Sequence, residues 1–112
     1  MQIDVMVLSY LIVAHCIMDF FCQTDWMAKN KSKKFEALSI HVAVYSIPFF
    51  YFGFKYGIIN MVLHALIDAI TSRITGKFYK EDKMSYFWAT IGVDQAPHML
   101  CLVYTYIFWV QN

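Results

Sequence analysis

The first long apolar run of this chain, Val5–Trp26, constrains the fold most, and it reads VMVLSYLIVAHCIMDFFCQTDW. A helix of about 20 predominantly apolar residues, rising about 1.5 Å per residue, crosses a hydrocarbon core of about 30 Å. The run nevertheless contains His15 and Asp19, whose spacing of four residues places both side chains on one helix face. Ionisable side chains at such depth are costly and point into a helix bundle, toward a partner, a metal or water.

The composition extends this membrane interpretation to the whole chain. Hydrophobic residues make up 60% of the 112 residues and charged residues only 15%, against about 25% in soluble domains. Eight of the nine basic residues fall in two loops: Lys29, Lys31, Lys33, Lys34, Arg73, Lys77, Lys80 and Lys83. The positive-inside rule assigns both loops to the cytoplasm and therefore places both termini on the non-cytoplasmic side.

The apolar runs predict a single transmembrane domain over residues 1–112, with helices at about 5–24, 35–54, 58–75 and 85–110. Residues 53–57 are predicted to form a tight turn, and the second helix is expected to be kinked at Pro48. The fold class that follows is all-α. It is an integral membrane four-helix bundle of up-down-up-down topology, multi-pass in the cytoplasmic membrane.

The pairing of histidine with aspartate recurs along the chain. His64 and Asp68 repeat the spacing of four residues, Asp94 and His98 reverse its order, and His41 stands alone in the second helix. At about 1.5 Å per residue from the cytoplasmic helix ends, all these groups lie within a slab about 10 Å thick. The candidate metal ligands are therefore His15, Asp19, His41, His64, Asp68, Asp94 and His98.

A divalent metal ion is the cofactor that imidazole and carboxylate side chains in a bundle core indicate. Zinc is preferred, and manganese, iron and nickel are alternatives. Since one ion needs fewer ligands than the sequence offers, either two ions bind or some residues orient the ligating imidazoles. In the competing interpretation, each histidine–aspartate pair only hydrogen-bonds and joins two helices.

Three positions are candidates for catalysis: Asp94, Asp25 and Gln95. A carboxylate that is not a ligand, such as Asp94, would act as the general base. Asp25 could serve as a base at the mouth of the site or be a solvated residue at a helix end. Gln95 either donates to a substrate oxygen or fixes a helix contact. His41 either binds the metal or forms a hydrogen bond with Tyr45 or with an aspartate.

The order of these motifs resembles that of a known family, the small bacterial and phage membrane proteins grouped as domain of unknown function 3307. The resemblance lies in His15-x-x-x-Asp19-Phe20-x-x-Gln23-Thr24-Asp25-Trp26-Met27-Ala28-x-x-Lys31, the lone His41, His64-x-x-x-Asp68 and Asp94-Gln95-x-x-His98. The family pattern is in turn similar to that of membrane-bound metal-dependent hydrolases. That likeness implies a bacterial inner-membrane protein with a metal site at His15, Asp19, His64, Asp68, Asp94 and His98.

The leading hypothesis is metal-dependent hydrolysis of a lipid or lipid-linked substrate, reached from the inner leaflet of the bilayer. A second hypothesis is a small ion, proton or metal carrier that uses the same site, and four helices would then require a homodimer. A third is a non-catalytic phage or accessory membrane protein that binds a host partner. Nucleic-acid binding is not expected, because membrane topology already accounts for the basic loops.

Overall fold

The computed structural model describes residues 3–31 and 33–111, with Asp25, Ala28, Lys29 and Gln111 described by their backbone alone. These residues form five α-helices and no strand, which confirms the all-α fold class. The helices are α1 (Val5–Cys16), α2 (Asp25–Asn30), α3 (Phe35–Ser46), α4 (Phe54–Lys80) and α5 (Met84–Thr105).

Three of the helices continue in a different helical form. A π-helical turn, Ile17–Phe21, follows α1, and a second, Tyr106–Gln111, follows α5. A 3₁₀ segment, Ile47–Phe52, extends α3 and has Pro48 in its first turn. Because proline has no backbone N–H and clashes with the preceding turn, the α-helical ladder ends at the place where the sequence predicted a kink.

The helix α4 is longer at both ends than the predicted 58–75. The predicted turn over residues 53–57 narrows to Gly53, whose φ of 126° lies in a region that glycine adopts readily. Gly57 belongs to the helix instead, and the Phe50 ring packs where a Cβ atom would stand. At the other end, Lys77 and Lys80 occupy the last turn of α4. Their positive charges interact favourably with the C-terminal end of the helix dipole, which stabilises the additional helical turns.

A short helix, α2, occupies the region where the sequence predicted the end of the first helix and a basic loop. The Thr24 hydroxyl accepts a hydrogen bond of 3.2 Å from the backbone N–H of Met27 and so caps α2. The cap separates α2 from the π-helical turn after α1. The chain can then fold back, and Lys31 reaches the interior of the bundle.

Two helical segments in the described part of the chain are long and apolar enough to cross a membrane, Phe35–Phe52 and Phe54–Lys80. The segment Val5–Phe21 is apolar but shorter. The sequence predicted four such spans. The first is shortened by the break before α2, and α5 carries Asp94 and His98 within its central turns.

The apolar core occupies the half of the bundle that includes the connection at Gly53. Its buried members are Leu11, Ala14, Tyr45, Phe49, Tyr56 and Leu102. Leu11 and Leu102 lie one turn from His15 and His98 on their helices, so the core packs directly against a polar layer. The fold therefore divides the interior into an apolar half and a polar half.

Candidate metal centre

Four buried side chains from three helical segments meet in the polar half of the bundle. They are Asp19 in the π-helical turn after α1, His41 on α3, and His64 and Asp68 on α4. Each offers one ligand-type atom, and these four atoms all lie within 4.8 Å of one another. The four residues are at most 5% exposed. We call them the tetrad.

The distances within the tetrad are close to the edges of a tetrahedron. His41 Nε2 lies 3.1 Å from both Asp19 Oδ1 and Asp68 Oδ2. His64 Nε2 lies 3.3 Å from Asp68 Oδ2 and 3.7 Å from Asp19 Oδ1, and the two Nε2 atoms are 3.1 Å apart. Ligands at about 2.0–2.1 Å from a tetrahedral zinc ion are separated by about 3.3–3.4 Å. The tetrad can therefore hold an ion of this size with only small adjustments.

One oxygen of the tetrad lacks a hydrogen-bond partner. Asp19 Oδ1 is the only buried side-chain nitrogen or oxygen atom without one among the described residues. His41 Nε2 lies 3.1 Å from this oxygen, but in a direction that does not make a hydrogen bond. Leaving a buried polar atom unsatisfied costs about 1–3 kcal/mol, and more for a charged group. A cation between the four ligand atoms would satisfy this oxygen.

A lysine that the sequence assigned to a cytoplasmic loop reaches the tetrad. Lys31 Nζ donates hydrogen bonds to Asp68 Oδ2 at 3.1 Å and to Gln23 Oε1 at 2.9 Å. Its side chain is only 16% exposed. With neutral imidazoles, Lys31 and one divalent cation together balance the charges of Asp19, Asp68 and Asp94. The balance favours a divalent ion, because uncompensated buried charge is strongly destabilising.

Asp94 and His98 of α5 border the tetrad. His98 Nε2 lies 3.2 Å from Asp68 Oδ1 and 3.3 Å from Asp94 Oδ1. On the other side of its ring, His98 Nδ1 lies 3.0 Å from His64 Nδ1. Asp94 and His98 also form a second set of ligand atoms with Asp19, again within 4.8 Å of one another. Since Asp19 belongs to both sets, they offer overlapping places for a cation.

The contact between His64 and His98 decides how both rings can be protonated. If His64 Nε2 binds an ion, its Nδ1–H donates to His98 Nδ1. His98 then carries its proton on Nε2 and donates it to Asp68 Oδ1, while Asp94 Oδ1 lies 3.3 Å from the same nitrogen. Every polar atom in this chain of contacts has a partner of the opposite type. All these distances are consistent with an ion in the tetrad, and with His98 lying outside the tetrad and orienting the His64 ring by a hydrogen bond.

Asp94 is held in place on the wall of a polar cavity. Thr71 Oγ1 donates to Asp94 Oδ1 at 2.5 Å, and Gln95 Nε2 lies 3.4 Å from Asp94 Oδ2. The cavity has a volume of about 180 Å³. It is lined by Asp19, Phe20, Gln23, Lys31, Asp68, Thr71, Ser72, Thr75, Phe87, Ile91, Asp94 and Gln95. Water and a small polar group can therefore reach the carboxylate side of the tetrad.

His15 lies beside the tetrad, and both of its ring nitrogens already have partners. Its Nδ1 lies 2.8 Å from the Tyr45 hydroxyl, and its Nε2 lies 2.6 Å from Gln95 Oε1. Because the Gln95 oxygen can only accept, His15 Nε2 donates and His15 Nδ1 accepts from Tyr45. Its Nε2 lies 3.9 Å from Asp19 Oδ2, which is not the Asp19 oxygen that belongs to the tetrad.

Tyr45 makes a different contact from the one that the sequence suggested, whereas Gln95 makes a helix contact, which was one of its two predicted roles. The Tyr45 hydroxyl bonds His15, not His41, and its ring stacks on His64 with a centroid distance of 3.8 Å. Gln95 fixes a contact between α5 and α1 and also lines the polar cavity. The side chain of Asp25, the third catalytic candidate, lies outside the described residues.

Fold and site together define an all-α helical bundle with a buried group of histidines and aspartates that can hold a metal ion. The chain belongs to the family described as "Protein of unknown function (DUF3307)", whose model matches residues 7–112. No curated protein and no solved structure matches the chain. These comparisons do not confirm the similarity to membrane-bound metal-dependent hydrolases, which stays a prediction.

Proposed function

We propose that this chain is an integral membrane protein that binds one divalent metal ion, preferably zinc, in the tetrad and hydrolyses a lipid or lipid-linked substrate. The main support for this proposal is the close spacing of the four ligand atoms of the tetrad, one of which, Asp19 Oδ1, has no hydrogen-bond partner. The polar cavity beside the tetrad provides access for water and for the reacting part of a substrate.

The distribution of side chains supports a place in the membrane. The buried residues include 11 polar or charged side chains and only ten apolar ones. Large apolar side chains face outward instead, with Phe21 and Phe35 each 85% exposed and Tyr51 80% exposed. An apolar exterior around a polar interior is stable in lipid and unfavourable in water. The basic loops support a position of the cavity, which Lys31 lines, on the cytoplasmic side of the inner membrane.

The residues around the cavity have the positions that hydrolysis requires. A divalent ion supplies Lewis acidity, which activates water and polarises a phosphoryl or carbonyl group. Asp94, fixed by Thr71 and Gln95, accepts the proton of the attacking water. The bond from phosphorus or carbonyl carbon to the leaving oxygen breaks, and the proton passes to that oxygen. Lys31 stabilises the negative charge that develops at the cavity wall.

Access from one side favours hydrolysis over the carrier hypothesis. The polar cavity adjoins Asp19 and Asp68 at the face of the tetrad toward the basic loops. On the opposite face, Tyr45 stacks on His64 and packs against Phe49 in the buried apolar core. An ion conductor or carrier needs access from both sides of the membrane, whereas a hydrolase needs only one entrance.

The metal content of the protein purified from membranes tests the binding proposal. We expect about one equivalent of zinc in the wild type, by elemental analysis, and its loss in His64→Ala. His15→Ala is the matched control, since His15 is an equally buried histidine outside the tetrad, each being 2% exposed. Metal-free wild-type protein, or equal loss in both variants, would overturn the metal site and support the structural interpretation of the pairs.

Lipid turnover in vesicles tests the catalytic proposal. Zinc-loaded protein in phosphatidylcholine vesicles that contain phosphatidic acid should release inorganic phosphate or fatty acid, and a chelator should stop the release. Asp94→Asn should lower the rate by about 10²–10⁴-fold while zinc stays bound. A zinc-loaded protein that turns over neither ester bond but passes zinc across the vesicle membrane would favour the carrier.

A further inference from the structure

We propose that the ligand of this site is a phosphate-bearing lipid whose alkyl chain lies in a groove between α1 and α5 and whose head group enters the polar cavity. The proposal rests on the proposed function and specifies its substrate class. Two cavities that share Phe20 and Gln95 in their walls support this proposal.

The groove is large and apolar along most of its length. Its volume is about 880 Å³, within the range of about 300–1,000 Å³ that is usual for small-molecule sites. Side chains of α1 and of the α5 segment form its walls, among them Ile12, Met99, Leu100 and Tyr104. Ile12 is 43% and Leu100 55% exposed, so the groove opens sideways, where an inserted bundle meets lipid.

The inner end of the groove is polar. His15, only 2% exposed, and Gln95 close it through a hydrogen bond of 2.6 Å. The pair therefore marks a boundary between two compartments.

The second compartment is the polar cavity of the metal centre. Phe20 and Gln95 line both the groove and the cavity, so one ring and one amide separate the two spaces. A molecule with one apolar and one polar end matches the pair of compartments, whereas a wholly polar or wholly apolar molecule matches only one. Movement of Phe20, which is 49% exposed, and opening of the His15–Gln95 bond would join them.

Charge on the cavity wall selects the head group. Lys31 lies at the wall, and a divalent ion in the tetrad would add positive charge beside it. A phosphate monoester matches both, because its oxygens accept hydrogen bonds from ammonium groups and coordinate divalent cations. The cavity volume of about 180 Å³ favours a small head group over a bulky one.

Photolabelling of the zinc-loaded protein in phosphatidylcholine vesicles tests the proposal. The probe is the phosphonate analogue of phosphatidic acid, which carries a diazirine near the end of one acyl chain and is not hydrolysed at its head group. We expect the label on groove residues such as Met99 and Leu100. A diacylglycerol with the same diazirine chain should label them about tenfold less, which corresponds to about 1.4 kcal/mol of binding free energy.

Two groove-filling variants and one matched control make the result specific. Ala96→Trp and Leu100→Trp fill the groove from α5 and should each reduce labelling about tenfold. Val62→Trp introduces the same indole ring on α4, at a residue 51% exposed and outside the groove, and should leave labelling unchanged. The two groove variants are expected to keep their zinc, which shows that they fold.

The outcomes separate this proposal from the proposed function. Equal labelling by the phosphonate and the diacylglycerol, or full labelling of both zinc-loaded groove variants, would overturn the lipid site even if the protein binds zinc. Selective labelling of a protein that purifies without metal and catalyses no turnover would keep the lipid site and overturn the metal-dependent hydrolase.

Discussion

The Nδ1 atoms of His64 and His98 lie 3.0 Å apart, and this one contact limits which of the two imidazoles can bind a cation. Two neutral imidazoles cannot both carry a proton on the nitrogens that face each other. If both used Nε2 to bind an ion, both would need that proton on Nδ1. The contact therefore allows only one of the two rings to bind an ion through Nε2 while both remain neutral.

We expect His98→Ala to weaken zinc binding by about 10–100-fold without abolishing it, because His98 orients a ligand and is not one itself. Titration against a chromophoric chelator should give one equivalent with a raised Kd. His98→Gln should restore part of the affinity, since its amide can accept from His64 and donate to Asp68. Loss of the whole equivalent at saturating zinc in both variants would make His98 a ligand.

Replacing Lys31 should destabilise the metal-free protein more than the zinc-bound protein. In Lys31→Met the metal-free protein loses the ammonium that balances Asp68, which should lower its free energy of unfolding by up to about 3–5 kcal/mol. With zinc bound, the loss should be smaller, and zinc affinity should rise because no cation competes for Asp68. Denaturant unfolding in detergent, with chelator and with zinc, measures both effects.

Lys31→Arg is the charge-preserving control and should lie close to the wild type in the metal-free form. A methionine variant equally destabilised with and without zinc would mean that Lys31 and the ion do not share the carboxylate.

Tyr45→Phe should separate the hydrogen bond that the Tyr45 hydroxyl makes with His15 from the stacking of the Tyr45 ring on His64. Losing the hydroxyl leaves His15 Nδ1 without a donor and should lower the free energy of unfolding by about 1–3 kcal/mol. The ring still stacks on His64, so the zinc content should not change. Tyr104→Phe, at a residue 47% exposed, is the matched control and should be nearly neutral. Zinc loss in Tyr45→Phe would contradict this division of roles.

Two glycines in helices should respond differently to the same substitution. Gly57→Ala places a Cβ against the Phe50 ring and should destabilise the protein by about 1–3 kcal/mol. In Gly92→Ala nothing lies within 4 Å of the new Cβ, and alanine should stabilise α5 by up to about 1 kcal/mol. Thermal unfolding followed by circular dichroism compares them. Equal effects would show that the 3₁₀ segment carrying Phe50 does not approach α4 so closely.

The sequence was informative where chemistry follows from spacing along one helix. His64 with Asp68 and Asp94 with His98 lie four residues apart, so each pair shares a face, and the structure brings both pairs to one buried group. The sequence was less informative where contacts between side chains depend on how two helices cross. The use of both His15 nitrogens depends on where α3 and α5 pass α1, which no local pattern encodes.

Lys31 shows a second limit of sequence reasoning. Its place in a run of lysines indicates a solvated topological signal, and only the turn introduced by α2 brings its ammonium to Asp68. The extra helical turns at the ends of α4 were missed for a related reason. Glycines and charged residues usually mark loops, but Gly57 packs under Phe50 and the terminal lysines suit a helix end.

The tetrad draws its side chains from the π-helical turn after α1, from α3 and from α4, so a bound ion would tie three distant stretches of chain at a single point. A cross-link of this kind removes conformational freedom from the unfolded chain, much as a disulfide does, but it can be undone by a chelator. Folding and metal binding would then be thermodynamically linked. A cell starved of the metal would accumulate partly folded chains that its proteases can cleave.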